Sequence, residues 1–330
     1  MKINKKILFL LISLVAVFSL VACGNEKQSK DIEDSPVVGE VEGDIKDQEY
    51  NVVIEHEYGK VELKEIPEKV IVFDYGILDA IEEMGYGDHI VGLPKKSVPD
   101  YLEKYKEESY VDVGTLQEPN FEKIFELEPD LMIISARQAK LYEEFNEIGN
   151  TIYMAIDGGD YMNSFKENLN ILGKIFNDED NINERIAQLD KKIQELHAKA
   201  NESDNTGLFV MANDGELRAY GIGSRFGVLY DEFGIKPVDE NIESSTHGQK
   251  ISFEYILEKN PDYLFIMDRS VIAGGDVSAK QTLDNDIIKS TKAYTEGNIV
   301  YLDSPTWYVA SGGIKATEKM IEDVETIFEK

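Results

Sequence analysis

Residues 120–134 read NFEKIFELEPDLMII, and residues 252–266 read SFEYILEKNPDYLFI. The two stretches keep a constant offset of 132 residues without a gap: Phe121 matches Phe253, Glu122 matches Glu254, Ile124 matches Ile256, and Pro129-Asp130 matches Pro261-Asp262. Each copy opens on a residue suited to capping a helix (Asn120, Ser252). A short helical stretch, a Pro-Asp break and an apolar strand follow. The register outlasts the strand, because Arg137 and Arg269 also stand 132 residues apart. One unit repeated at so long a spacing, with different sequence around each copy, predicts two lobes of similar build rather than a solenoid of short repeats.

The rest of the chain fits that plan. Short apolar runs at 69–73 and 89–92 alternate with a helical stretch at 78–84, the pattern of an α/β fold with a mainly parallel sheet. Residues 51–57 and 60–63 alternate around Tyr58-Gly59 and predict a hairpin. Ile182, Ile186, Leu189, Ile193, Leu196 and Ala200 form one apolar stripe at helical period, so 179–203 is expected to be a single helix packed along both lobes. The second half is expected to hold strands at 207–211, 217–220 and 299–302, a helix at 226–233, a loop after the last strand and a closing helix at 313–329. The expected division is therefore a lobe over 50–178, the connecting helix 179–203 and a lobe over 204–330.

The first residues bear on location. Lys2, Lys5 and Lys6 precede an apolar run from 7 to 22 that ends Leu20-Val21-Ala22-Cys23-Gly24. A basic start, a short apolar centre and small residues before a cut are the marks of a secretory signal over 1–22, and the run is short for a transmembrane helix. Cys23 is the one cysteine in the chain, so no disulfide and no cysteine metal site is expected. Residues 23–49 are polar, acidic and poor in aromatics, the composition of a disordered tether. The chain carries a formal charge of −30, and since 1–22 holds three lysines and no acid, the remainder stands at −30 − 3 = −33. Such a surface repels nucleic acid and anionic membrane. An anionic ligand must then meet a local concentration of arginine, and the chain has five arginines.

Two α/β lobes, one connecting helix and the LVACG sequence together resemble the class III solute-binding lipoproteins of ABC importers, which carry siderophores, haem or cobalamin. Within that class, residues 70–85 (VIVFDYGILDAIEEMG), 118–138 (EPNFEKIFELEPDLMIISARQ), 211–227 (MANDGELRAYGIGSRFG), 245–256 (STHGQKISFEYI) and 304–313 (SPTWYVASGG) resemble the petrobactin- and catecholate-type ferric-siderophore binders. The resemblance covers nearly all of 50–330. It implies two Rossmann-like lobes with central sheets, a lipid on Cys23, and a monomer anchored to the outer face of the membrane. The cargo it implies is an anionic ferric siderophore, of catecholate or mixed catecholate–carboxylate type, delivered to a permease dimer with its ATPase; no intrinsic cofactor is expected. It further implies that Arg137, Arg225 and Arg269 hold the anion. His247 and Tyr308 match residues that ligate iron where the siderophore leaves coordination sites open. Glu122 and Glu254 match a pair of acids that dock on the permease. Some relatives carry a basic residue where this chain has Gln117.

Taken without the resemblance, the same residues are less decisive. Arg137 and Arg269 each follow an apolar strand, and open α/β sheets bind ligands beyond the carboxyl ends of their strands; two salt-bridged surface arginines are the alternative. Arg225 sits in GIGSRFG, an incomplete phosphate-loop pattern, where it serves equally well as a local cap. His247 is a lone loop histidine with no spaced partners among His56, His89 and His197, so capture of a bare divalent metal is not expected. Tyr308 follows the single tryptophan, where aromatic packing is the plain account. A glutamate in a helix's first turn, as at 122 and 254, needs no partner beyond the helix dipole. The competing functions are a haem or cobalamin carrier of the same class and a siderophore esterase, and the chain has no GxSxG elbow for the latter.

Overall fold

The computed structural model describes residues 50–329. The expected signal sequence 1–22, the lipidation site Cys23 and the tether 23–49 lie outside the described residues. Among those described, no helix is long and apolar enough to cross a membrane.

Two antiparallel strands come first, β1 (Val52–His56) and β2 (Gly59–Leu63); His56 pairs with Gly59, so the hairpin turns at Glu57-Tyr58, one residue before the expected Tyr58-Gly59. The first lobe's sheet holds β3 (Val70–Val72), β4 (Ile90–Leu93), β5 (Val111–Asp112), β6 (Leu131–Ile134) and β7 (Thr151–Tyr153), all parallel, in the order β5-β4-β3-β6-β7. The second lobe's sheet holds β8 (Thr206–Asn213), β9 (Glu216–Tyr220), β10 (Lys236–Pro237), β11 (Gln249–Ile251), β12 (Tyr263–Asp268) and β13 (Ile299–Tyr301). Its order is β11-β9-β8-β12-β13, with β10 on the start of β8. Here β8, β12 and β13 run parallel, and β9 is antiparallel to both neighbours. Strands β3 and β6 are buried on both faces, which is why they read as unbroken apolar runs without alternation.

The repeat is structural. Helices Phe121–Leu127 and Phe253–Lys259 are capped by Asn120 and Ser252, whose side-chain oxygens accept from Lys123 N and Tyr255 N at 3.1 and 3.3 Å. Both helices end on a left-handed residue, Glu128 and Asn260. The Pro-Asp break has the same role twice. Asp130 Oδ2 accepts from Glu68 N and Lys69 N at 3.0 and 2.8 Å, just before β3. Asp262 Oδ2 accepts from Thr206 N, the first residue of β8, at 2.7 Å. Each aspartate thus ties the repeated strand to the start of its parallel neighbour. Because each capped helix runs against the strand that follows it, its N-terminus lies toward the carboxyl ends of the strands.

The connecting helix spans Glu179–Asn201 and buries Ile182, Leu189, Ile193, Leu196 and Ala200, five of the six residues of the predicted stripe; the sixth, Ile186, is half-buried. It packs on helix Tyr161–Ile175 and on the C-terminal helix Ile314–Glu325. The C-terminal helix belongs to the 204–330 segment, yet it also packs on the first lobe's helix Tyr75–Glu83. Its start is held there by Asp79, fully buried, whose carboxylate accepts from Lys315 N and Ala316 N at 2.9 and 2.7 Å and from the Tyr101 hydroxyl at 2.8 Å. Gly313 has to be glycine beside it, since a Cβ there would stand 2.4 Å from Asp79 Oδ2.

Three local expectations are corrected. The first helix begins at Tyr75 rather than 78, because Asp74 caps it through Gly76 N and Ile77 N. The expected helix 226–233 is one turn, Val228–Asp231, wound partly by tighter i→i−3 bonds such as Tyr230 N to Gly227 O at 2.8 Å. The expected loop after β13 contains a helix, Ser304–Val309, with proline in its first turn, where the missing N–H costs nothing.

Candidate functional site

Helix Ser304–Val309 carries the centre of the site. Trp307 is fully buried beneath it, donating from Nε1 to Asp323 Oδ2 at 2.9 Å and packing on Phe209 and Phe233. That anchor turns Tyr308 into the cleft, where three guanidinium groups meet it. Arg137, beyond β6, donates from Nη2 to the Tyr308 carbonyl at 3.0 Å. Arg225, from the loop after β9, donates to the same carbonyl at 2.9 Å. Arg269, immediately after β12, donates from Nε to the Tyr308 hydroxyl at 2.9 Å and from Nη1 to Asn213 Oδ1 at 2.9 Å. The guanidinium carbons stand 6.0, 4.2 and 5.6 Å from the Tyr308 ring centre, for Arg137, Arg225 and Arg269 respectively. The arginine pair inferred from the repeat therefore converges, one from each lobe, on a residue outside the repeat.

None of these three arginines forms an ion pair with a carboxylate among the described residues; Arg218, with Glu216, is the arginine that does. In a chain of net charge −30, this disposes of the salt-bridged alternative. Each guanidinium carries five donors. The bonds above occupy one on Arg137, one on Arg225 and two on Arg269.

Burial pulls the Arg225 pKa below its ordinary value, with the Tyr308 group offsetting part of that. Burial alone would push the Tyr308 phenol up. The Arg269 hydrogen bond and the charges of Arg225 and Arg269 outweigh it and leave the phenol below its usual range. Asp74, facing the same cavity, is shifted up, chiefly by desolvation and against the nearby Arg137 charge. The cavity is about 660 Å³ and is walled by both lobes, with Ser135 and Arg137 on one side and Ser224 and Arg225 on the other. The lobes touch at its edge: a Cβ on Gly158 would lie 2.7 Å from Arg225 Cα.

His247 lines this cavity but is exposed, and it makes no side-chain bond to the arginine–tyrosine cluster. Glu122 and Glu254 are exposed in the first turns of the two repeat helices and lie outside the cavity walls. Among the described residues, no group of three or more His, Cys, Asp or Glu side chains gathers to hold a metal ion. Sequence reasoning missed Asn213, which accepts a hydrogen bond from Arg269, and the acids Asp74 and Asp157 on the cavity wall. A carboxamide in MAND and acids in FDYG and IDGG carry no local signal that separates them from turn residues.

A two-lobed α/β protein, joined by one long helix and presenting an unpaired cationic cluster in the cleft between its lobes, is a solute-binding protein of the class III periplasmic binding fold. The chain matches the periplasmic binding protein family over residues 70–306 and belongs to it. It is 42% identical over 328 residues to the petrobactin-binding protein YclQ of Bacillus subtilis, covering 99% of this chain and 100% of that one. The crystal structure of YclQ superposes with a TM-score of 0.83 at 44% identity, over 85% of this chain and 99% of that one. The ferric-anguibactin-binding protein FatB of Vibrio anguillarum is 34% identical over 83% of this chain and 86% of its own. The periplasmic catecholate-siderophore binding protein VctP of Vibrio cholerae superposes with a TM-score of 0.77 at 38% identity, over 84% and 99% of the two chains.

Proposed function

We propose that this protein binds an anionic ferric siderophore outside the cell, of catecholate or mixed catecholate–carboxylate type, and hands it to an ABC permease. The observation that carries the reading is the set of three carboxylate-free guanidinium groups around Tyr308. Planar guanidinium forks suit the delocalised oxygens of catecholates and stay charged at any working pH. The names of the relatives, which bind petrobactin, ferric anguibactin and catecholate siderophores, support the same choice. The chain acts as a carrier and not as an enzyme. Tyr308, with its phenol held below the usual range, is suited to ligate iron when the siderophore leaves sites open, and His247 stands on the same cavity wall to complete the pair. A lipid on Cys23 would tether it to the membrane, and a Cys23→Ala protein should then be released to the medium.

Glu122 and Glu254 form the docking pair for the two permease subunits. The repeat supports this with a second matched pair: Phe125 and Leu257, at the same offset and one helical turn on, are 68% and 38% exposed. Each helix therefore offers a two-fold partner an acid beside an uncovered apolar side chain. Acids of this kind fix orientation and encounter rate more than affinity.

The test is a fluorescence titration of the purified protein against ferric siderophores and haem. Tight binding of a ferric catecholate complex, with no binding of haem, is expected; haem binding alone would replace the reading with the haem-carrier one. For docking, Glu122→Lys with Glu254→Lys should abolish uptake in cells while solution binding stays intact. Normal uptake would leave only the helix dipole as their role.

A further inference from the structure

A smaller cavity of about 340 Å³ adjoins the larger one, with Arg137, Tyr308 and Val309 in the walls of both. Arg269 belongs to the smaller cavity alone and Arg225 to the larger alone. Their charges differ. The larger cavity sets two arginines (137 and 225) against two acids, Asp74 and Asp157. The smaller sets Arg137, Arg269 and Lys96 against one acid, Glu118. Lys96 is exposed, and its ammonium has no hydrogen bond or ion pair among the described residues. Its neighbour Lys95 is tied down, donating to the Glu107 carbonyl at 2.6 Å. Gln117 stands on the wall of the same cavity and supplies an amide but no charge.

We propose that the smaller cavity is a second compartment of the ligand site, that it takes a carboxylate-bearing arm of the ferric complex, and that Lys96 is its specificity-determining cation. The inference rests on the ferric-siderophore reading above. An arginine fork matches a planar catecholate edge. An ammonium on a flexible stem is a compact, strongly hydrated point charge, suited to a single carboxylate that reaches it in varied geometry. The hydroxyls of Ser97 and Thr115 on the same wall add neutral donors for the carboxylate's remaining lone pairs. A complex whose anionic groups are all catecholates has no such arm to place there.

The test compares wild type, Lys96→Gln, and Lys96→Gln combined with Gln117→Lys. Each is titrated with two ferric complexes of three catechols, one carrying a pendant carboxylate arm and one without a carboxylate. Lys96→Gln should weaken the carboxylate-bearing complex by about tenfold, the loss of one charge-assisted contact. It should leave the tris-catecholate without a carboxylate within about twofold, since an exposed ammonium with no carboxylate to meet is largely screened by water and salt. The double variant should regain most of the loss by returning a cation to the cavity. Equal weakening of both complexes would mean that Lys96 contributes only general charge, and unchanged affinity for both would mean that the cavity is not used; either overturns the proposal. Wild type binding neither complex would instead overturn the ferric-siderophore reading, and this inference would fall with it.

Discussion

Replacing Arg225 by alanine should weaken binding of a ferric catecholate complex more cleanly than any other single change in the cleft. Its guanidinium sits 2.9 Å from the Tyr308 carbonyl and 4.2 Å from the ring centre, half-buried and without a carboxylate partner. A charge-assisted hydrogen bond to an anionic ligand contributes about 1.5–3 kcal/mol. At about 1.4 kcal/mol per decade that is a loss of roughly ten- to 150-fold in affinity. Arg225→Lys keeps the charge and loses the fork, so it should fall between wild type and alanine. The assay is quenching of intrinsic fluorescence on titration with the ferric complex, with thermal melting as the check that the variant is folded. Arg137→Ala and Arg269→Ala should move in the same direction. A folded Arg225→Ala protein with a Kd within about twofold of wild type would refute the reasoning, because a half-buried guanidinium without a carboxylate partner would then have no part in holding the anion.

Three further outcomes are expected. A tetradentate ferric siderophore should change its charge-transfer band on binding, and Tyr308→Phe should lose that change; the same band in both proteins would exclude phenolate ligation. Asp79, pushed up to about 7 by burial despite its bonds from Tyr101, Lys315 N and Ala316 N, binds its proton more tightly folded than unfolded, so its contribution favours the fold at low pH and is lost as pH rises toward 7. Melting temperatures measured across that range should therefore fall more steeply with pH in wild type than in Asp79→Asn, and parallel profiles would contradict the assignment. Small-angle scattering with and without ligand should show little change in radius, because the connecting helix, the C-terminal helix and the Asp79 contact hold both lobes together; a large contraction would count against it.

The plan of the molecule was legible in the sequence because the repeat repeats a mechanism. Asn120 and Ser252 cap, Asp130 and Asp262 tie down the neighbouring strand, and Arg137 and Arg269 emerge at the strand ends. Continuous apolar runs marked the buried parallel strands, and one stripe at helical spacing marked the connecting helix. What was not legible depends on partners distant in sequence. Asp79 lies in LDAIEE among other acids, and only the chain 236 residues away, folding back as the C-terminal helix, makes it a buried cap. Tyr308 is one tyrosine of 17, and its place at the centre of the cluster comes from Trp307 being locked under its helix. Lys96 and Lys95 are alike in sequence, and the fold binds one to backbone carbonyls and leaves the other facing a cavity.

The most direct measurement is the position of the iron itself. Crystals of the protein with a ferric catecholate siderophore, measured at the iron absorption edge, should give an anomalous peak in the cleft between the lobes, flanked by Arg137, Arg225 and Arg269 and next to Tyr308. An iron peak away from those three arginines, or ligand density in the cleft with no contact to them, would contradict the account.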